Sequence, residues 1–247
     1  MPDVLLNLNH IQKSFGSIRA LTDVSMEIAS GLITAVVGDN GSGKSTLIKI
    51  LSGNLIPDGG AIMANGVEYS GLTIRQSLAL GIRTVYQDLS LDDRKNSVEN
   101  VFLGCEQMRG PFLDRRAMAR ETQSLLDRLE IKIPNLQMPV QHLSGGQRQG
   151  LAIARALRSP GKILLLDEPT AAMGIRESAN ALELLRRLRR DGMSQVLISH
   201  NLYQVFDVAD RVFVIRSGCC IADVMTKHSS PDVIHQLILE REQEAEL

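Results

Sequence analysis

Eight consecutive residues, Gly38-Asp39-Asn40-Gly41-Ser42-Gly43-Lys44-Ser45, fit the pattern G-x-x-x-x-G-K-[ST] at every required position and leave the chain few ways to fold around them. Upstream, the apolar run Ile33-Thr34-Ala35-Val36-Val37 predicts a short buried strand; downstream, Thr46 to Leu51 predicts a helix. The chain must therefore turn from strand to helix through glycines, whose missing Cβ lets consecutive backbone N–H groups point inward at a polyphosphate. The helix start adds the partial positive charge of its unpaired N–H groups. In this pattern Lys44 reaches the β- and γ-phosphates of a nucleoside triphosphate, and the Ser45 hydroxyl coordinates the magnesium ion that bridges them. The stretch from Gly38 through Asp39, Asn40, Gly41, Ser42, Gly43, Lys44 and Ser45 to Thr46 is expected to hold ATP.

Composition narrows the partners. With 247 residues, 44% hydrophobic and 22% charged, the chain is ordinary globular material, and its net charge of −1 lacks the basic bias of a protein whose main partner is nucleic acid. No apolar run approaches the ~18–20 residues that span a bilayer, and no basic residue precedes the apolar patch at the N-terminus. Three cysteines, Cys105, Cys219 and Cys220, show no metal-ligand spacing and are expected to be small buried hydrophobes in a reducing compartment.

Along the chain, Val4–Leu8 and Val24–Ile28 alternate like strands with one solvated face. A turn at Pro57-Asp58-Gly59-Gly60 precedes a strand at Ala61-Ile62-Met63; a helix near Ile74–Leu80 leads to a strand that ends at Gln87. From Asp88 to about Arg158 strand signals vanish, and Met118, Leu125, Leu126 and Leu129 recur at helical spacing behind Asp114, a helix cap. Strand character resumes at Ile163-Leu164-Leu165-Leu166-Asp167, whose unbroken apolar run suits a strand buried on both faces. A charged helix follows, roughly Arg176–Arg190, with Leu182, Leu185 and Leu188 inward and its arginines on a solvated face. Then come strands at 195–199 and 211–215, a hairpin partner near 219–224, and an increasingly acidic helix over 231–247.

Together the glycine loop, Gln87, Leu143-Ser144-Gly145-Gly146-Gln147, strand-terminal Asp167-Glu168 and Ile198-Ser199-His200 resemble, in content and order, the nucleotide-binding subunit of ATP-binding-cassette (ABC) transporters. The resemblance runs from Phe15 to about residue 225. It implies an α/β P-loop NTPase (RecA-like) fold: a mostly parallel sheet core, an antiparallel β subdomain and an inserted α-helical subdomain. The implied organisation is one nucleotide-binding domain over 1–247, with its catalytic core at 1–87 and 159–225, the helical subdomain at 88–158 and a C-terminal helix and tail at 226–247.

In that family Asp167 holds magnesium, with Ser45 and Gln87 beside it, and Glu168 is the general base that activates the attacking water. Gln87 also links the core to the helical insertion, His200 hydrogen-bonds the γ-phosphate, and Phe15 stacks on adenine. Ser144, Gly145, Gly146 and Gln147 cap the ATP of a partner chain, so two composite sites form only in a head-to-tail dimer.

One departure from the family is plain. Where the family usually continues Ser-Ala-Leu-Asp after Glu-Pro-Thr, this chain has Ala171-Ala172-Met173-Gly174, which puts tight coupling between the two sites in doubt. Further phrases, Val85-Tyr86-Gln87-Asp88-Leu89 and Ser199-His200-Asn201-Leu202 among them, are similar to bacterial importers of the ribose, xylose and fructose type. The resemblance then implies an ATPase on the cytoplasmic face of the cell membrane, peripheral to integral permease subunits. A homodimer closed by ATP and Mg2+ would energise uptake of a small solute from a periplasmic or extracellular solute-binding protein, with no nucleic acid involved. Two rivals are a soluble ABC ATPase of translation or DNA repair, and a nucleotide-binding regulator. The first would normally carry two cassettes or a coiled-coil insertion; the second would be expected to lose Glu168 or His200.

Overall fold

The computed structural model describes residues 3–171 and 173–239. Among these the strands are β1 (Val4–Phe15), β2 (Ile18–Ala29), β3 (Ile33–Val37), β4 (Gly59–Ala64), β5 (Val67–Tyr69), β6 (Ile82–Val85), β7 (Met108–Arg109), β8 (Phe112–Leu113), β9 (Ile163–Asp167), β10 (Ser194–Ile198), β11 (Arg211–Arg216) and β12 (Cys219–Met225). The helices are α1 (Lys44–Leu51), α2 (Ile74–Ala79), α3 (Ser97–Phe102), α4 (Arg115–Arg128), α5 (Gly145–Leu157), α6 (Ile175–Arg190), α7 (Leu202–Val208) and α8 (Pro231–Leu239). Two compact units result: residues 1–84, 161–169 and 185–247 form one, and residues 85–160 and 170–184 the other.

The first unit is built on a ten-stranded sheet in the order β5-β4-β1-β2-β12-β11-β3-β10-β9-β6. Its middle is parallel, with β11 beside β3, β3 beside β10 and β10 beside β9. Every residue of β3, β9 and β10 is buried, as suits strands covered on both faces, and the polar Thr34, Asp167, Ser194 and Gln195 are buried with their apolar neighbours. The β5-β4-β1-β2 side is antiparallel, and so is the β11–β12 hairpin. This is the α/β fold with an antiparallel part that the sequence predicts.

The strands of the antiparallel part run longer than alternation suggests. β1 and β2 are twelve residues each, because register shifts such as that between Leu8 and Ile11 break the period-two pattern without breaking the ladder. His10 sits in that irregularity with φ 51°, its N–H on Ser25 Oγ and its Nδ1 3.0 Å from Asp23 Oδ1.

The arginines that end α6 have a packing role as well as a solvated face. Arg189 makes a two-pronged contact with Asp210, whose Oδ2 also accepts the backbone N–H of Ile33, so the start of β3 is anchored through one carboxylate. α8 lays Ile234 into the core, and Arg216 Nη1 donates to Leu237 O at 2.7 Å. The acidic end of the predicted 231–247 helix lies outside the described residues.

The second unit is mainly helical and reaches beyond the 88–158 insertion read from sequence, since it also takes in 170–184. Capping is the clearest local cause of its helices. Asn96 and Glu99 form a reciprocal capping box on α3, Asp114 accepts the Ala117 N–H at the start of α4, and Ser144 and Gln147 form a second box on α5. The α4 cap falls where the sequence places it.

One expectation for this segment needs correction, and so does the one for the cysteines. The segment contains a small hairpin, β7–β8, whose two-residue strands are too short to show alternation and which turns through Gly110 at φ 62°. Cys105 is exposed and Cys219 and Cys220 are partly so, because Cys105 lies just past the end of α3 and the other two on β12, whose residues are only partly covered. Burial still pushes the Cys220 thiol up to about 11, which keeps it protonated and unreactive.

Candidate nucleotide site

The glycine loop leaves β3 and enters α1 by a path that two glycines alone permit. Gly38 has φ 149°, and a Cβ there would lie 1.9 Å from Ile215 O; Gly43 has φ 106°, and a Cβ there would lie 2.4 Å from Ala20 O. The loop is thus pressed between β2 and the end of β11. The β11–β12 turn clasps it from one side, with Gly218 N–H on Ser42 O and Gly218 O accepting the Thr22 N–H.

Lys44 is buried, and its ammonium donates to Gly38 O at 2.8 Å and Asp39 O at 2.6 Å. Desolvation lowers its pKa, opposed by the negative charges of Glu168, Asp39 and Asp167. The cation is therefore aimed along the loop, at the place where a phosphate chain would run. Asp39, Asn40, Gly41 and Ser45 are exposed, whereas Ser42 and Gly43 are buried. Thr46 is half-buried in the first turn of α1.

Across the parallel strands, Asp167 ends β9 and Ser45 Oγ donates to its Oδ1 at 3.4 Å. Asp167 is only 6% exposed, and burial raises its pKa against the opposing Ser45 hydrogen bond. The sign follows directly. A carboxyl that holds its proton more tightly when folded favours the fold at low pH, and this advantage is lost as pH rises through the folded pKa. At neutral pH the charge of Asp167 therefore costs stability. Asp167→Asn is expected to raise the melting temperature of the nucleotide-free protein at pH 7 by about 2–4 °C for each kcal/mol relieved, and to give no gain near pH 3. Thermal unfolding at the two pH values checks this, and an unchanged or lower melting temperature at pH 7 refutes it.

Glu168 follows with φ 52°, a left-handed conformation uncommon for any side chain but glycine. Its N–H is fixed to Ile198 O at 3.0 Å, and its Oε2 lies 2.8 Å from His200 Nδ1. A carboxylate only accepts, so Nδ1 carries the imidazole proton in this contact. His200 itself is 69% exposed while the Glu168 side chain is 14% exposed, so the ring faces open space from a fixed base. Phe15 closes β1 and is 49% exposed, with Lys13 Nζ 5.8 Å from its ring centre. That exposure removes the possibility of a core phenylalanine.

In the second unit Gln87 is exposed, two residues past the end of β6. Ser144, Gly145, Gly146 and Gln147 open α5: Ser144 Oγ accepts the Gln147 N–H, and Gln147 Oε1 accepts the Ser144 N–H at 3.0 Å. Glu177, which the sequence reading passed over, packs its side chain against Gly145 and Gly146. An acidic residue in the first turn of α6 was the available signal, but first-turn acids usually serve only their own helix.

Among the described residues no group of three or more His, Cys, Asp or Glu forms a metal cage, and no helix is long and apolar enough to cross a membrane. A family model described as ABC transporter matches residues 21–171. The chain is 44% identical over 214 residues to a xylose/arabinose import ATP-binding protein of Sulfolobus acidocaldarius, covering 87% of this chain and 85% of that one. It is 41% identical to a fructose import ATP-binding protein of Rhizobium meliloti over the same shares. Against a xylose import ATP-binding protein of Brucella abortus, 38% identical and covering 96% of this chain, it spans about half, 47%, of the relative's length.

Among solved structures, the cassette cbiO1 from Clostridium perfringens is similar at TM-score 0.78 and 27% identity, covering 99% of this chain and 96% of that one. The ADP conformation of the ATP-binding cassette MJ1267 has the same fold, with TM-score 0.82, 24% identity and 97% and 96% covered. With its fold, its glycine loop and most of its length matched in this way, the chain belongs to the ABC transporter family, on the ATP-binding side of it.

Proposed function

We propose that this protein is the ATP-hydrolysing subunit that energises uptake of a small solute, a monosaccharide, through a membrane permease, by closing and reopening a homodimer around ATP. The observation that carries this reading is the Glu168 carboxylate, held 2.8 Å from His200 on the residue after Asp167, in the unit that also contains the phosphate loop. The names of the relatives, all import ATP-binding proteins for pentoses or fructose, support the solute class.

The residues fit magnesium. Ser45 Oγ and Asp167 Oδ1, 3.4 Å apart, are hard oxygen donors, and a buried carboxylate whose charge is costly gains most from a cation. When bound, the ion neutralises charge on the β- and γ-phosphates. The chain's own part is to position and to move a proton. The loop N–H groups and Lys44 hold the triphosphate, and Phe15 offers a face to the adenine. Glu168 takes the proton of the water that attacks the γ-phosphorus, as the bond to the β–γ bridging oxygen breaks and ADP leaves. His200 spends its Nδ1–H on Glu168 and so fixes the base. A phosphate contact from Nε2 as well requires the doubly protonated ring.

The second unit offers a place for the permease. A cavity of about 110 Å³ lies between α3, β8 and the start of α4, lined by Val98, Phe102, Leu103, Leu113, Met118 and charged neighbours such as Lys95 and Arg115. Of the apolar residues on α3 and at its end, Val98, Val101 and Phe102 are core, at 4%, 1% and 0% exposure, while Leu103 is 48% exposed. An acidic residue at 102 would unfold α3 and test nothing.

Leu103→Asp is the informative change. Co-expressed with the cognate permease, the wild-type protein is expected in the membrane fraction, and Leu103→Asp is expected to be lost from it by about tenfold or more while still binding ATP, since an unpaired carboxylate in an apolar contact costs more than an unpaired neutral polar group. A wild-type protein that stays wholly soluble beside its permease refutes the transport reading.

A further inference from the structure

The second unit carries a carboxylate where the family reading brings a phosphate. Glu177 lies in the first turn of α6, and its Oε2 accepts the Gly174 N–H at 3.4 Å. The same Oε2 lies 3.4 Å from where a Cβ would stand on Gly145, and the Glu177 Cβ lies 3.3 Å from where one would stand on Gly146. Gly145 and Gly146 are the first two residues of α5, so their N–H groups have no partner within the helix. One half-buried acidic side chain thus bridges the loop at Gly174 to the positive end of α5. Of the two, Gly146 has the closer fit: a side chain there would crowd the stem of Glu177, whereas one at 145 would meet it at ordinary contact distance.

We propose that Glu177 is an internal counter-anion: it holds the Gly174 loop beside the signature end of α5, and its charge opposes the γ-phosphate of the partner's ATP as that phosphate approaches the same helix end. The inference rests on the reading that Ser144–Gln147 caps a partner's ATP. Two anions cannot share one helix end without cost. Two like charges brought close at a protein surface repel, and dissolved ions screen that repulsion. Glu177 therefore sets how much ATP the dimer needs. It does so from the first turn of α6, three residues after the Gly174 that stands where the family usually has aspartate.

Glu177→Gln keeps the length of the side chain and an oxygen for the Gly174 N–H, and removes only the charge. The test is made in a Glu168→Gln protein, so that hydrolysis does not dissolve the dimer, and reads by analytical ultracentrifugation the ATP concentration that gives half dimer. At low salt the added Glu177→Gln is expected to lower that concentration about fivefold or more, one repelling charge being removed from each site. In 0.5 M salt the difference is expected to shrink, as a charge effect screened by ions must and a packing effect would not. An unchanged or raised ATP requirement at low salt, or a gain that ignores salt, overturns the proposal. If the Glu168→Gln protein with Glu177 intact forms no dimer at any ATP concentration, the capping role of the signature falls, and this inference with it.

Discussion

Replacing Glu168 by Gln is expected to lower ATP turnover by about 10²–10⁴-fold, the usual worth of a positioned general base, while nucleotide binding persists. The reason lies in how completely the backbone and His200 determine this side chain. Residue 168 has φ 52°, its N–H is tied to Ile198 O, and its carboxylate takes the His200 Nδ1–H. The amide oxygen of a glutamine can take the same proton in the same place. Shape survives; the basic lone pair does not. ATP should then hold the dimer long enough to be seen by size-exclusion chromatography. Turnover near the wild-type rate would place the base on another residue.

What could be read from sequence was whatever rests on local chemistry. The phosphate loop was legible because its glycines answer to backbone geometry: at Gly38 and Gly43 no side chain can be accommodated. Strands β3, β9 and β10 were legible because strands buried on both faces read as near-continuous apolar runs, such as Ile163–Leu166. The cap at Asp114 was legible because a cap and its partner lie within three residues.

The misreadings concern which neighbour covers a side chain, and that is decided by tertiary packing. At the end of α3, Phe102 and the capping residue Leu103 are adjacent and equally apolar. Yet Phe102 is wholly buried beneath the Arg158 guanidinium, 5.1 Å from its ring centre, and Leu103 faces outward. A six-residue helix is too short for periodicity to tell them apart. Glu177 escaped notice for a related reason: its sequence context describes a solvated first-turn acid, and only the fold brings it to Gly145.

The same contrast, between a local motif and the packing that completes it, governs Lys44→Ala. Lys44 is the one cation that the glycine loop itself supplies to a triphosphate, and its burial means that no water screens it from the phosphates. Removing one partner of such a desolvated charge pair typically costs 2–5 kcal/mol, so the ATP dissociation constant is expected to rise about 10²-fold or more. No ATP-held dimer should then form, which separates this variant from Glu168→Gln, in which ATP binds and the dimer persists.

The fold should survive Lys44→Ala. Desolvation depresses the Lys44 pKa, so its charge is a burden on the nucleotide-free protein rather than a support, and Ala is a good residue for the first position of α1. A melting temperature close to that of the wild type, together with lost ATP affinity by calorimetry, is the expected pair of results. An unchanged dissociation constant would mean that the loop at 38–45 is a structural turn, and the nucleotide site would have to be sought elsewhere.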